Sequence, residues 1–172
     1  MNTMKTPMLC GACIAVCTVS AVVLPSAGIE FILYLVVFLC CILCPVQYGL
    51  LCAVLAPLCA SLLSGALSGI LLASSCAECC AAALLFSVLM KLIHTGKSHT
   101  DILISSLCAA AVGRIVNAIV STLIFSDGMT TACVWSWFNI IVTIPQTVLL
   151  ISSVEIIYSL LVSAGLTFSR YG

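Results

Sequence analysis

Three ionisable side chains stand inside long apolar runs: Glu78, Arg114 and Glu155. A charge at the centre of a membrane-spanning helix costs roughly 2.5–3.5 kcal/mol on insertion scales, so each needs a partner or a task. Asn117 shares the helix face of Arg114, and Gly113 leaves room there for another backbone or a ligand. Gln146 sits near the start of the last apolar run. Together Glu78, Arg114, Asn117 and Gln146 supply the few convergent polar groups that a small-molecule site sets in an apolar pocket. Two readings of Glu78 and Arg114 stay open: a buried ion pair that locks two helices, or groups that line a polar cavity and touch a bound solute. Glu155 is either bonded within the bundle, for instance to Tyr158, or a point of proton coupling.

Other chemistry is poorly represented. Thirteen cysteines include the pairs Cys10/Cys13, Cys41/Cys44 and Cys76/Cys79, all with CxxC spacing. A zinc site wants such pairs on loops with further ligands converging, whereas these lie in apolar runs, and His94 and His99 fall in a polar loop between two runs. The cysteines read as small hydrophobes of packed helices, and neither a metal nor a cofactor is expected. There is no phosphate-binding glycine loop, no His-Glu-x-x-His and no Gly-x-Ser-x-Gly. Asp101 and Asp127 are predicted in loops on opposite sides of a membrane, too far apart to hold a catalytic metal. The chain is therefore not expected to be an enzyme, nor to drive transport with ATP by itself.

The elements that position these residues follow from composition. Of 172 residues 64% are hydrophobic and 6% charged, where a soluble domain carries about 25% charge; the mean hydropathy is +1.39. Between Met8 and Lys91 the ionised groups are Glu30 and Glu78 alone, in a stretch long enough for several spans of about 20 residues. Net charge is zero and there is no basic run, so nucleic acid is excluded as a partner. Apolar runs, punctuated by Gly, Pro and charge, predict an all-α membrane protein: six transmembrane helices in one domain, spanning about 8–24, 29–44, 47–65, 70–91, 101–125 and 145–167. The connections are short, so function must reside within the bundle.

Basic residues near span ends stay cytoplasmic. With six spans and a cytoplasmic N-terminus, Lys5, Lys91, Lys97 and Arg170 fall inside, and Glu30 and Asp127 outside. Trp135 and Trp137 then occupy the outer interface before the last span, which is expected to start near Thr143 and Pro145. Lys5, the apolar run and Pro25-Ser26-Ala27 also fit a cleaved signal peptide. Cleavage would leave five spans in the same orientation, but Gly11, Ala12 and Ala15 suit helix packing and favour a retained first helix. On this topology Glu78 lies about 12 Å, and Arg114 about 17 Å, below the outer ends of neighbouring helices, similar levels at 1.5 Å per residue.

Over residues 30–167 the chain resembles the substrate-binding S components of energy-coupling factor (ECF) transporters, the vitamin uptake systems. The resemblance rests on Cys44-Pro45-Val46-Gln47-Tyr48-Gly49, on Pro57-Leu58-Cys59-Ala60-Ser61-Leu62-Leu63-Ser64-Gly65, on Glu78, on Gly113-Arg114-Ile115-Val116, and on Ile144-Pro145 through Ala164-Gly165-Leu166. Where such relatives usually have Met-Pro after Gly65, this chain has Ala66-Leu67; after the last-helix proline it has Gln146 in place of Gly. Both departures lie near the outer end, where the family binds its solute, and they leave the solute open. The resemblance implies that Glu78, Arg114 and Asn117 face the solute. It also implies that Gly11, Ala12 and Ala15 face the T component, the membrane scaffold that joins S components to two ATPases.

The expectation is a bacterial plasma-membrane subunit, embedded in the bilayer, that captures a small vitamin-like molecule from outside for ATP-driven uptake by those partners. The alternative is a self-sufficient secondary carrier working through Glu155. Tags at Met1 and Gly172 are predicted to be cytoplasmic; protease added to intact cells should spare both, and removal of either would refute the topology.

Overall fold

The computed structural model describes residues 5–23, 26–64, 69–93, 98–124 and 137–163, and these are all-helical apart from short connections. The helices are α1 (Lys5–Val23), α2 (Ser26–Leu43), α3 (Val46–Ser64), α4 (Gly69–Leu92), α5 (Ser98–Ile124) and α6 (Trp137–Ser163). Within them Val46–Leu63, Leu72–Leu92 and His99–Ser121 are long and apolar enough to cross a membrane, while Thr6–Ser20, Phe31–Leu43 and Thr147–Ser163 are shorter apolar stretches.

Side chains are sorted as a lipid solvent requires. Large apolar groups point outward, among them Val19, Leu62, Leu63, Leu123, Leu149 and Leu160, whereas Glu78, Asp101, Ser74, Ser105 and Ser106 are buried. In water so much exposed aliphatic surface would be an aggregation liability. The interior is built largely from small residues, including Cys40, Cys52, Ala53, Ala56, Ala60, Ala82, Ala83 and Ala109, which lets backbones approach closely. Some helix hydroxyls bond back to carbonyls of their own helix: Thr18 to Ile14 at 2.6 Å, Ser152 to Val148 at 2.9 Å and Ser153 to Leu149 at 2.8 Å. No partner from solvent is then needed.

α4 and α5 pack most extensively on each other, α1 lies on α3 and α2, and α6 meets the bundle through α2 and α5. Pro45 breaks the chain between α2 and α3, because its ring lacks an N–H and disfavours helical geometry at Cys44; its carbonyl then accepts from Tyr48 N at 2.9 Å and opens α3. The thiols of Cys10 and Cys40 both donate to the Tyr48 carbonyl at 3.6 Å, tying α1 and α2 to this first turn. Most described cysteines are buried or half-buried helix residues, consistent with their reading as small core groups; Cys133 lies outside the described residues.

Three local expectations need correction. α5 begins at Ser98, so His99 and Asp101 belong to its first turn and not to a loop. Asp101 is buried there, in a first turn whose positive dipole end suits an acidic side chain. His99 lies edge-on to Tyr158, ring centroids 5.8 Å apart. α6 begins at Trp137 and runs through position 145, so Pro145 is not in its first turn. A bundle tolerates such a proline because neighbouring groups re-satisfy the freed backbone. Trp135, His94 and Asp127 lie outside the described residues.

At Gly49 α3 comes close to α2: a Cβ there would meet Cys41 Sγ at 2.5 Å and the Cys41 Cα at 3.5 Å. Gly49→Ala must therefore displace the buried Cys41 thiol. We predict a loss of about 1–3 kcal/mol, as for other overpacked cores, seen as a lower Tm of the detergent-purified protein, while Gly11→Ala should leave Tm unchanged because nothing lies within 4 Å of its added Cβ.

Candidate functional site

A buried carboxylate must be given donors by its surroundings, because water cannot supply them. Glu78 on α4 is 3% exposed, and three helices contribute to it. Its Oε1 accepts a hydrogen bond from the Tyr34 hydroxyl on α2, and its Oε2 accepts one from Nδ2 of Asn117 on α5. Arg114 Nε, also on α5, lies 3.4 Å from Oε1. Ser121 Oγ donates to Asn117 Oδ1 at 2.9 Å, which fixes the amide with its nitrogen toward the carboxylate. Ala110, Arg114, Asn117 and Ser121 follow i, i+4, i+7, i+11 spacing and form one stripe of α5.

Packing fixes Tyr34 as firmly as the hydrogen bond does. Its ring meets Phe38 edge-on at 5.8 Å, and Phe38 stacks on Phe86 of α4 at 4.9 Å. The Arg114 guanidinium carbon sits 5.5 Å from the Tyr34 ring centroid, within cation–π range. Gly113 makes this arrangement possible, since a Cβ there would lie 2.6 Å from the Tyr34 hydroxyl oxygen and 3.4 Å from the Glu78 backbone oxygen. The room expected beside Arg114 is thus taken by Tyr34.

A cleft opens beside this network, lined by Phe31, Tyr34, Ala110, Arg114, Thr147 and Leu150, with about 10 Å³ of free volume. That is room for about one water, so a larger occupant has to widen it. The Arg114 side chain is 29% exposed and that of Glu78 only 4%; the pair has an inner anionic end and an outer cationic one.

Of the residues expected to form the site, Glu78, Arg114 and Asn117 come together. Gln146 lies on α6 next to the cleft residue Thr147, its own side chain outside the described ones. Glu155 is half-buried further along α6, about 7.5 Å past Leu150 in axial rise, and is not among the residues lining the cleft. Gly11, Ala12 and Ala15 are exposed on α1. Sequence reasoning missed Tyr34, Ser121 and Thr147. A tyrosine amid the apolar residues of α2 was the available signal, since a buried phenol usually finds a hydrogen-bond partner.

Comparison of the chain with protein-family models, with curated proteins and with solved structures gives no match.

If the network behaves as one unit, Arg114→Gln alone leaves the Glu78 charge poorly compensated and should cost about 3–5 kcal/mol. The Glu78→Gln/Arg114→Gln double variant should recover most of that stability. Thermal melts of the four proteins measure the coupling; additive losses would show that the two side chains do not depend on each other.

Proposed function

We propose that the chain is the solute-capturing S component of an ECF-type importer. It would be a six-span subunit of the bacterial plasma membrane with cytoplasmic termini, binding a small vitamin-like molecule from outside. A T component and two ATPases would supply energy, and the chain itself would catalyse no reaction. The observation that carries this reading is the Arg114 guanidinium, held by a buried carboxylate at the edge of a cleft in an otherwise apolar helical bundle. Such a group is costly in lipid and marks a binding site or pathway.

Three further features support the reading. Three helices have membrane-spanning length and composition. α1 packs on α2 and α3, as a retained first helix would. Its Gly11, Ala12 and Ala15 are exposed, leaving a surface that a partner helix can approach closely. Glu155, half-buried on α6, favours the rival reading of a proton-coupled carrier.

Co-expression with a T component and its ATPases tests the assignment. The chain should co-purify with them, and Ala15→Leu should abolish association while leaving Tm unchanged. Failure of the wild-type chain to associate, or accumulation of solute under a proton gradient in vesicles holding this chain alone, would overturn it.

A further inference from the structure

We infer that Cys13 and Cys40 form a redox-active dithiol, which a lipid-soluble two-electron oxidant closes to a disulfide that tethers α1 to α2. The inference goes beyond solute capture and stands without it. Thiols from three helices gather around Cys40: Cys10 and Cys13 of α1, Cys44 of α2 itself and Cys52 of α3 are all in hydrogen-bonding contact with it. The Cys10 and Cys40 sulfurs also share one acceptor, the Tyr48 carbonyl, each at 3.6 Å. All of these cysteines are free thiols. Among the described residues no three His, Cys, Asp or Glu groups are placed to hold a metal ion, so the chemistry open to the cluster lies between pairs of sulfurs.

Access selects the pair. Cys10, Cys40, Cys44 and Cys52 are at most 2% exposed, whereas Cys13 is half-buried, next to the exposed small residues Gly11, Ala12 and Ala15 of α1. An oxidant arriving from the bilayer therefore reaches Cys13 first, and reactive cysteines are the partly exposed ones. An oxidant of the quinone or diazene class takes the Cys13 sulfur as an adduct, and the Cys40 sulfur then attacks the Cys13 sulfur. The S–S bond forms, the bond from Cys13 to the oxidant breaks, and the electron pair leaves with the reduced oxidant, which collects the two thiol protons. Cys40 gives up only S–H donation to a carbonyl at 3.6 Å, a weak bond. Cys44 lies one turn further along α2, so a bond to it would join no second helix.

The full chain in phosphatidylcholine nanodiscs provides the test, with peptide mass spectrometry as the readout. In the reduced protein, limiting N-ethylmaleimide should alkylate Cys13 ahead of Cys10, Cys40 and Cys52. Diamide, a diazene, followed by N-ethylmaleimide to block the remaining thiols, should yield an α1 peptide joined to an α2 peptide through Cys13 and Cys40. The oxidised protein should melt at a higher temperature, because a tether restricts the unfolded chain, and dithiothreitol should remove both the cross-link and the rise. Cys13→Ala and Cys40→Ala should each lose the cross-link and the rise, while Cys108→Ala, at an exposed position on α5, keeps them. Should Cys40→Ala fail to fold, Cys13→Ala, at a half-buried position, decides alone. The inference is overturned if no disulfide joins α1 to α2 in the wild-type chain, if one persists in Cys13→Ala through Cys10, or if Cys13 is alkylated no faster than the buried thiols.

Discussion

The buried carboxylate of Glu78 is the constraint on which the bundle's polar architecture depends. Taken from water, it must find every donor within the protein. The donors come from α2 as Tyr34 and from α5 as Asn117 and Arg114, so satisfying one side chain sets three helices relative to one another. A slip of α5 by one residue would carry Arg114 and Asn117 off the facing stripe together. Such a network adds little net stability over a well-packed apolar core, because desolvation of the charges offsets their attraction. What it contributes is discrimination between registers, and a cation held at a defined place.

Small residues make the network reachable. Gly113 lets the Tyr34 hydroxyl pass close to α5, and the neighbouring Ala82 on α4 also lies against it. Elsewhere alanine and cysteine perform the same service, and thiols such as those of Cys10 and Cys40 add weak donation to a helix-start carbonyl. The described cysteines of the core serve as small residues, and small side chains let helix backbones come close.

The helices were legible because lipid demands long apolar runs, and Gly, Pro and charge interrupt them. The proximity of Glu78 and Arg114 was legible too, since depth counted along neighbouring helices gave similar levels. Tyr34 was not, because an uncharged phenol inside an apolar run raises no alarm and its partner lies 44 positions away. Asp101 and His99 were misread as loop residues since polar composition marks helix starts and loops alike. Pro145 was misplaced because the preference of proline for first turns is only a tendency, and α6 begins at Trp137, about two turns earlier.

The ion pair is asymmetric in its exposure. A pair buried at both ends would serve register alone, yet Arg114 keeps 29% of its side chain exposed while Glu78 keeps 4%. Lysine could hold the same charge, but a compact ammonium would lack the planar face that Arg114 sets against the Tyr34 ring. The Tyr34 ring lies against the guanidinium and is held in turn by Phe38, which stacks on Phe86. α6 supplies a wall of the cleft through Thr147 and Leu150 and packs less extensively than the α4 and α5 pair. The Glu78 network thus meets the α6 wall through Tyr34 and Arg114, the two of its members that also line the cleft.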